Sequence, residues 1–126
     1  MTKEIINTNS APAAIGPYSQ AVRFGSMIFT SGMLPLVPAT MQIVEGDVQA
    51  QTMQVLENLK ILLESAGSSL EKVLKATVYI KDMNDFPRIN EIYSRYFTEN
   101  HPSRSCVEVA RLPKDALVEI ELVAYV

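Results

Sequence analysis

An apolar stripe between residues 47 and 66 constrains the fold more than any other feature of this chain. Its members recur at the spacing of one face of a helix, and a strand would scatter them over both faces. Asp47 precedes the stripe as a helix-capping residue, and Gly67 stands where a left-handed residue commonly ends a helix. The stripe comprises Val48, Val55, Leu56, Leu59, Leu62, Leu63 and Ala66. A helix with one such face must pack on a surface that the rest of the chain supplies.

A second helix and several strands account for the remaining pattern. The helix is predicted to begin around Asn84–Asp85, to carry Pro87 in its first turn and to run to about Glu99. Its apolar stripe is Phe86, Ile89, Ile92, Tyr93, Tyr96 and Phe97.

Strands are predicted over residues 3–7 and 73–81 and in a hairpin, 19–25 with 27–32, that turns at Gly25-Ser26. In the 73–81 strand, Leu74, Ala76, Val78 and Ile80 are expected to face the core. Residues 33–46 contain prolines and no period, so they are predicted to form a loop. The order β-β-β-α-β-α-β-β predicts one α+β domain over residues 1–126, with two helices packed on one face of a single sheet.

The segment from residue 102 to the end is predicted to close the fold as a β-hairpin around a Leu-Pro-Lys-Asp turn. Alternation places Arg104, Cys106 and Glu108 on one face of its first strand, and Glu119 and Glu121 on the polar face of its second strand. A guanidinium held on a strand is a rigid, two-pronged receptor for a small carboxylate. A nearby carboxylate can position a water for attack on whatever that anion carries.

Composition excludes several classes of protein. The chain has 126 residues and a formal net charge of −3, and its basic residues are scattered, so a general nucleic-acid binder is not expected. No apolar run approaches the ~20 residues that span a bilayer. One cysteine permits no internal disulfide, which fits a cytoplasmic protein. No cluster has metal-ligand spacing and no glycine-rich phosphate loop occurs, so neither a metal nor a cofactor is expected.

The sheet face away from the helices predicts self-association. It is expected to mix charges with Thr77, Tyr79, Cys106, Leu117, Val123 and Tyr125. Such a face is too apolar for water and too charged for a core. A symmetric homo-oligomer with ligand sites between its subunits is therefore expected.

Several motifs together resemble the reactive intermediate deaminase family, the Rid or YjgF-type enamine/imine deaminases. They lie in separate parts of the chain and span nearly all of it: Ala13–Gln20 with its Gly-Pro-Tyr loop, Thr30–Gly32, Lys81–Phe86 followed by Asn90, and Pro102–Val107 with Val118–Ile120. The resemblance implies a chorismate-mutase-like α+β fold and a homotrimer with clefts between neighbouring subunits. It also implies hydrolysis of 2-imino acids to 2-keto acids and ammonia.

The same resemblance implies roles for individual residues. Arg104 would clamp the substrate carboxylate, Glu119 would hold and activate the attacking water, and Cys106 would contribute mainly its backbone. The remaining pocket residues would be Ser31, Asn90 and, from an adjacent subunit, Tyr18. An imine carbon is already electrophilic, so orientation and a placed water suffice without a metal or organic cofactor.

Simpler interpretations of these residues remain open. Arg104 would serve equally well as a surface ion-pair partner of Glu119 or Glu121, Cys106 as a small buried hydrophobe, and His101 as an exposed loop residue. Two other functions are also open: a non-catalytic regulatory protein that binds small carboxylates, and an endoribonuclease. The presence of both Arg104 and Glu119 favours catalysis over sensing, and the acidic balance makes ribonuclease activity the weakest alternative.

Overall fold

A six-stranded sheet with two helices on one face makes up the body of the protein. The computed structural model describes residues 1–126. The strands of the sheet are β1 (Glu4–Ile6), β2 (Ala21–Phe24), β3 (Met27–Thr30), β6 (Val73–Ile80), β7 (Ser103–Glu108) and β8 (Val118–Tyr125), in the spatial order β1-β2-β3-β8-β6-β7. The helices are α1 (Val48–Ser65) and α2 (Phe86–Tyr96), and short β4 (Leu36–Val37) and β5 (Gln42–Ile43) form a separate ribbon. Neither helix is long and apolar enough to cross a membrane. The predicted α+β class, with both helices on one face, is confirmed.

Helix α1 forms as its sequence predicts. The side chain of Asp47 accepts hydrogen bonds from the backbone N–H groups of Gln49 and Ala50, so it caps the first turn. Gly67 adopts a φ of 82°, the left-handed conformation in which a side chain would be strained. The apolar stripe is buried against the sheet, where Val55, Leu56, Leu59, Leu62 and Leu63 are fully inaccessible. Burial of this stripe on the sheet is the main contact that fixes α1.

The predicted closing hairpin is wrong. Strands β7 and β8 do not pair with each other, because β6 lies between them, parallel to β7 and antiparallel to β8. Strand β7 is consequently the edge of the sheet, reached from β6 through the α2 crossover. The two strands that carry Arg104 and Glu119 are thus separated by a full strand.

Four smaller predictions also need correction. Helix α2 begins at Phe86 after a 3₁₀ turn and ends at Tyr96, three residues before Glu99. The predicted loop of residues 33–46 contains the β4–β5 ribbon. Leu74 is exposed, because an irregularity between Val73 and Lys75 shifts the register and turns Val73 inward. Cys106 and Leu117 pack against the helix-side core, not on the opposite face.

The sheet face opposite the helices is mixed in character, as predicted. Phe29, Val107 and Tyr125 expose 44%, 42% and 41% of their surface. Strand register places them on the same face of the sheet as Thr77 and Glu121. We call this the open face. Phe29 and Tyr125 lie on the neighbouring strands β3 and β8, and Val107 lies on the edge strand β7. Exposed large apolar side chains on one sheet face are typical of a surface that associates with another protein.

Candidate functional site

Five of the six predicted site residues line two separate clefts within one chain, and the sixth, Cys106, lines neither. Tyr18, Ser31 and Glu119 line a cleft of about 630 Å³ on the open face, which we call the open-face cleft. Arg104 and Asn90 line a second cleft of about 350 Å³ between α2 and β7, which we call the edge cleft. The two clefts share no lining residue.

Opposite sheet faces explain this separation. Arg104 pairs in register with the buried Ala76, so it points to the helix side of the sheet. Glu119 pairs with Tyr79 on β6 and points to the open face. The implication that one subunit supplies both residues, with only Tyr18 from its neighbour, is therefore wrong, and a site that uses both requires a second copy of the chain.

Glu119 is a half-buried carboxylate at the floor of the open-face cleft. Burial raises its pKa, and the negative charge of Glu121 adds to the effect. Its carboxylate lies against the backbone of Gly32: a Cβ atom at position 32 would come within 2.6 Å of Glu119 Oε2. A carboxylate with a raised pKa exchanges protons more readily near neutral pH than an ordinary surface glutamate.

Glu121 lies beside Glu119 and is held by a tyrosine. The hydroxyl of Tyr79 donates a 2.8 Å hydrogen bond to Glu121 Oε1. That bond stabilises the protonated phenol and is the first cause of the raised pKa of Tyr79. The cleft therefore presents two carboxylates, of which one is fixed by a neutral phenol.

The loop that carries Tyr18 is tied to the sheet by Gln20. This buried amide accepts a 2.7 Å hydrogen bond from the Thr8 backbone N–H and donates to the carbonyls of Thr8 and Pro12 at 3.0 and 2.8 Å. The side chain of Ser31 is also fixed, because its Oγ donates a 2.6 Å hydrogen bond to the Ser19 carbonyl. Ser31 and Tyr18 thus form a wall of the open-face cleft whose position is set by backbone contacts.

Arg104 is held by three side chains of α2. Its Nη1 donates a 2.7 Å hydrogen bond to Asn90 Oδ1, and its guanidinium carbon lies 4.7 Å from the Tyr93 ring centroid and 5.4 Å from that of Phe86. It forms no ion pair within the chain, so the interpretation of Arg104 as an ion-pair partner of Glu119 or Glu121 is wrong for the single subunit. Its Nε and Nη2 atoms have no hydrogen-bond partner in the chain and are free to receive a carboxylate in a two-pronged manner.

Cys106 follows two residues later on the same side of β7. Burial raises the pKa of its thiol, and the nearby Arg104 only partly opposes this effect. The thiol is accordingly protonated at neutral pH, and a protonated thiol is a poor nucleophile. This environment fits a packing residue better than a covalent catalyst.

Sequence reasoning missed other residues at both clefts. Tyr93 was assigned only to the apolar stripe of α2, and His101 only to an exposed loop, yet both line the edge cleft with Arg104. His101 is exposed, as expected. Gly32 and Gln20 gave no chemical signal in the sequence, because their contributions depend on what folds against them.

Comparison with known proteins identifies the family. A family model described as Endoribonuclease L-PSP matches residues 8–126. A RutC family protein of Pyrococcus abyssi is 55% identical over 99% of this chain and 98% of its own length. The Escherichia coli (strain K12) protein named "Putative reactive intermediate deaminase TdcF" is 52% identical over 97% of this chain and 96% of its own.

Solved structures agree with this result. The crystal structure of E. coli TdcF with bound serine has a TM-score of 0.93 and 51% identity, and covers 98% of each chain. RidA from an Antarctic Psychrobacter bacterium has a TM-score of 0.94 and 45% identity, and covers 98% of this chain and 99% of its own. The chain belongs to the Endoribonuclease L-PSP family, the Rid or YjgF-type proteins that its motifs resemble.

Proposed function

We propose that this protein is a cytoplasmic deaminase that hydrolyses reactive 2-imino acids, such as 2-iminobutanoate and 2-iminopropanoate, to 2-keto acids and ammonia. The observation that carries the proposal is the guanidinium of Arg104, which is oriented by α2 and keeps two nitrogens without a partner. The names of relatives support it: one is called a reactive intermediate deaminase, and TdcF has been crystallised with serine, a small amino acid with a carboxylate. The proposed deaminase domain spans residues 1–126.

The proposed active unit is a homotrimer with sites between subunits. One subunit contributes Arg104 and Asn90 from its edge cleft, together with Cys106, two residues after Arg104 on β7. The neighbour contributes Glu119, together with the cleft wall formed by Tyr18 and Ser31. Two findings support this arrangement: the groups lie on opposite sheet faces, and the open face carries exposed apolar side chains suited to association.

The proposed reaction needs only these side chains and water. Arg104 holds the substrate carboxylate, which places the imine carbon over Glu119 of the neighbour. The oxygen of a water held by Glu119 bonds to the carbon of the protonated imine while Glu119 takes one of the water's protons, and the C=N π electrons move to the nitrogen, which gives a neutral carbinolamine. Glu119 then returns that proton to the nitrogen and takes the hydroxyl proton as the C=O bond forms and the C–N bond breaks. Ammonia leaves the keto acid and carries this last proton away as ammonium.

Steady-state kinetics on imines generated in situ by an amino-acid oxidase tests the proposal. Arg104→Ala is expected to lower kcat/KM by roughly 10²-fold or more, because a two-pronged charged contact is lost. Arg104→Lys should rescue little, since a point charge does not reproduce the guanidinium geometry. Glu119→Gln should lower kcat by about 10²–10⁴-fold and leave 2-ketobutyrate binding nearly unchanged. The exposed Arg95 and Glu45 provide matched controls, Arg95→Ala and Glu45→Gln.

Mixing two inactive variants tests the shared site directly. If Arg104 and Glu119 of one site come from different subunits, Arg104→Ala and Glu119→Gln subunits reassembled together regain activity. Equal amounts should restore about a quarter of the wild-type sites, because that fraction of interfaces pairs the two intact residues. Reassembled mixed trimers without any activity would contradict the shared site.

Two other functions are outcomes of the same experiments. A carboxylate-binding regulatory protein would bind 2-ketobutyrate through Arg104 and show no turnover, and Glu119→Gln would then change nothing. The family description also names an endoribonuclease activity. The net charge of −3 and the paired carboxylates of the open-face cleft repel a phosphate backbone, so RNA cleavage is not expected.

A further inference from the structure

One face of α2 surrounds Arg104. Phe86, Asn90 and Tyr93 are spaced four and three residues apart, which brings them to the same side of a helix. The Tyr93 ring is the nearer of the two aromatic rings, at 4.7 Å from the guanidinium carbon, and Asn90 takes one N–H of Nη1. All three residues therefore contact the same side chain, that of Arg104 on β7.

We propose that Tyr93 is a positioning residue for the carboxylate clamp, and that its ring fixes the orientation of the Arg104 guanidinium before ligand arrives. The inference rests on the proposed function in that it assigns Arg104 the substrate carboxylate. A cation over an aromatic face is attracted by the π-electron density, and Asn90 opposes rotation about the guanidinium axis. Nε and Nη2 are then left as the two donors presented to the ligand.

The ring, rather than the hydroxyl, carries this role. Tyr93 is only 7% exposed, and its hydroxyl is buried with no hydrogen-bond partner. A group that binds nothing contributes nothing to orientation, so phenylalanine at this position should serve as well. Tyr93→Phe is thus a conservative variant that keeps the aromatic ring against the Arg104 guanidinium.

Core packing is the competing explanation for Tyr93. Its ring also stacks on Phe97 with centroids 4.6 Å apart, within the main hydrophobic core. Phe97 is as deeply buried as Tyr93, and no cation–π contact joins it to Arg104. Phe97→Leu therefore provides a matched control, because it removes a neighbouring core ring that does not hold the clamp.

Ligand binding and kinetics separate these explanations. For Tyr93→Leu, the Kd of 2-ketobutyrate by calorimetry and the KM of the imine should rise between about 2-fold and 30-fold, the range of a cation–π contact, with a smaller fall in kcat. Tyr93→Phe should match the wild type, and Phe97→Leu should lower the melting temperature without a comparable rise in Kd. Equal increases for Tyr93→Leu and Phe97→Leu, or none for Tyr93→Leu, would overturn the assignment.

Nuclear magnetic resonance of the arginine side chain tests the positioning independently of any reaction. The order parameter of the Arg104 Nε–H bond should be high in the wild type and in Tyr93→Phe, and lower in Tyr93→Leu. Tyr93→Met replaces Tyr93→Leu if that variant does not fold. Unchanged order parameters would refute the positioning role even if the protein is a deaminase. A wild type without deaminase activity would refute the proposed function, while the order parameters would still decide the role of Tyr93.

Discussion

Gly32→Ala is expected to inactivate the protein by displacing Glu119. An added Cβ would lie 2.6 Å from Oε2, 2.8 Å from Cδ and 3.2 Å from Cγ of Glu119, so the clash involves the whole end of the side chain. To restore an ordinary contact of 3.4 Å between the added Cβ and Oε2, the Glu119 carboxylate must move away by about 0.8 Å. A misplacement near 1 Å can cost about 10²-fold in rate, so kcat should fall by roughly that factor.

Stability should change little in the same variant. Gly32 does not occupy the left-handed region, so alanine fits its backbone conformation. Reduced freedom of the unfolded chain stabilises such a change by about 0.4–1 kcal/mol, which offsets part of the clash. Thermal unfolding should therefore remain close to wild type while activity is lost.

A double-mutant cycle with Glu119→Gln provides the control. If Gly32→Ala acts through Glu119, it should cost little more in a Glu119→Gln background, because the residue it displaces has already lost its function. Imine hydrolysis coupled to keto-acid detection measures all four proteins. If the factors by which the two single substitutions lower kcat multiply in the double mutant, or if Gly32→Ala alone has a normal kcat, the reasoning is refuted.

Other predictions concern pH, the thiol and assembly. Burial raises the pKa of Glu119 in the folded state above its value in the unfolded chain, so ionising Glu119 costs more free energy in the folded protein. The folded protein is therefore more stable at low pH, and this extra stability is lost as the pH rises through the folded-state pKa. Glu119→Gln should therefore raise the melting temperature at neutral pH, and the gain should vanish on acidification; a constant difference would contradict this. Cys106→Ser should retain most activity, since the thiol is protonated, and a dead variant would indicate nucleophilic catalysis. Sedimentation equilibrium should report a trimer of the 14.0 kDa chain, and Phe29→Lys on the open face should dissociate it; a wild-type monomer would exclude sites between subunits.

The sequence was sufficient to predict the elements whose signals are local. The cap at Asp47, the stripe of α1 and the left-handed Gly67 depend on neighbours within a few residues, and all were confirmed. Pairing of distant strands has no such local signal. The Leu-Pro-Lys-Asp segment has the composition of a hairpin turn, but β6, encoded some thirty residues earlier, occupies the place between β7 and β8.

At the candidate site, too, the sequence predicts what depends on near neighbours and not what depends on the pairing of distant strands. Arg104 and Glu119 were selected by their chemistry, and alternation correctly grouped Arg104 with Cys106 and Glu119 with Glu121. It did not give the sheet face of each group: Arg104 and Cys106 lie on the helix side, where Cys106 was not expected. The face depends on how β7 and β8 pair with β6, which alternation within one strand does not contain. Tyr93 and Gly32 were named in the sequence but given no role of their own at the site, because a ring in an apolar stripe and a glycine after a strand are ordinary. Only the packed neighbours give them a role.

The Gln20 tether has a consequence for how a ligand reaches the open-face cleft. The Gln20 amide binds the loop carbonyls, and the Tyr18 hydroxyl accepts a hydrogen bond from the Ile15 N–H, so contacts within the chain hold this wall in place. The proposed imine substrate decomposes spontaneously in water, so its enzymatic hydrolysis competes with that decay. Under the proposed function, a cleft wall that is in place before the ligand arrives costs no time in rearrangement, and its shape contributes to the choice of substrate.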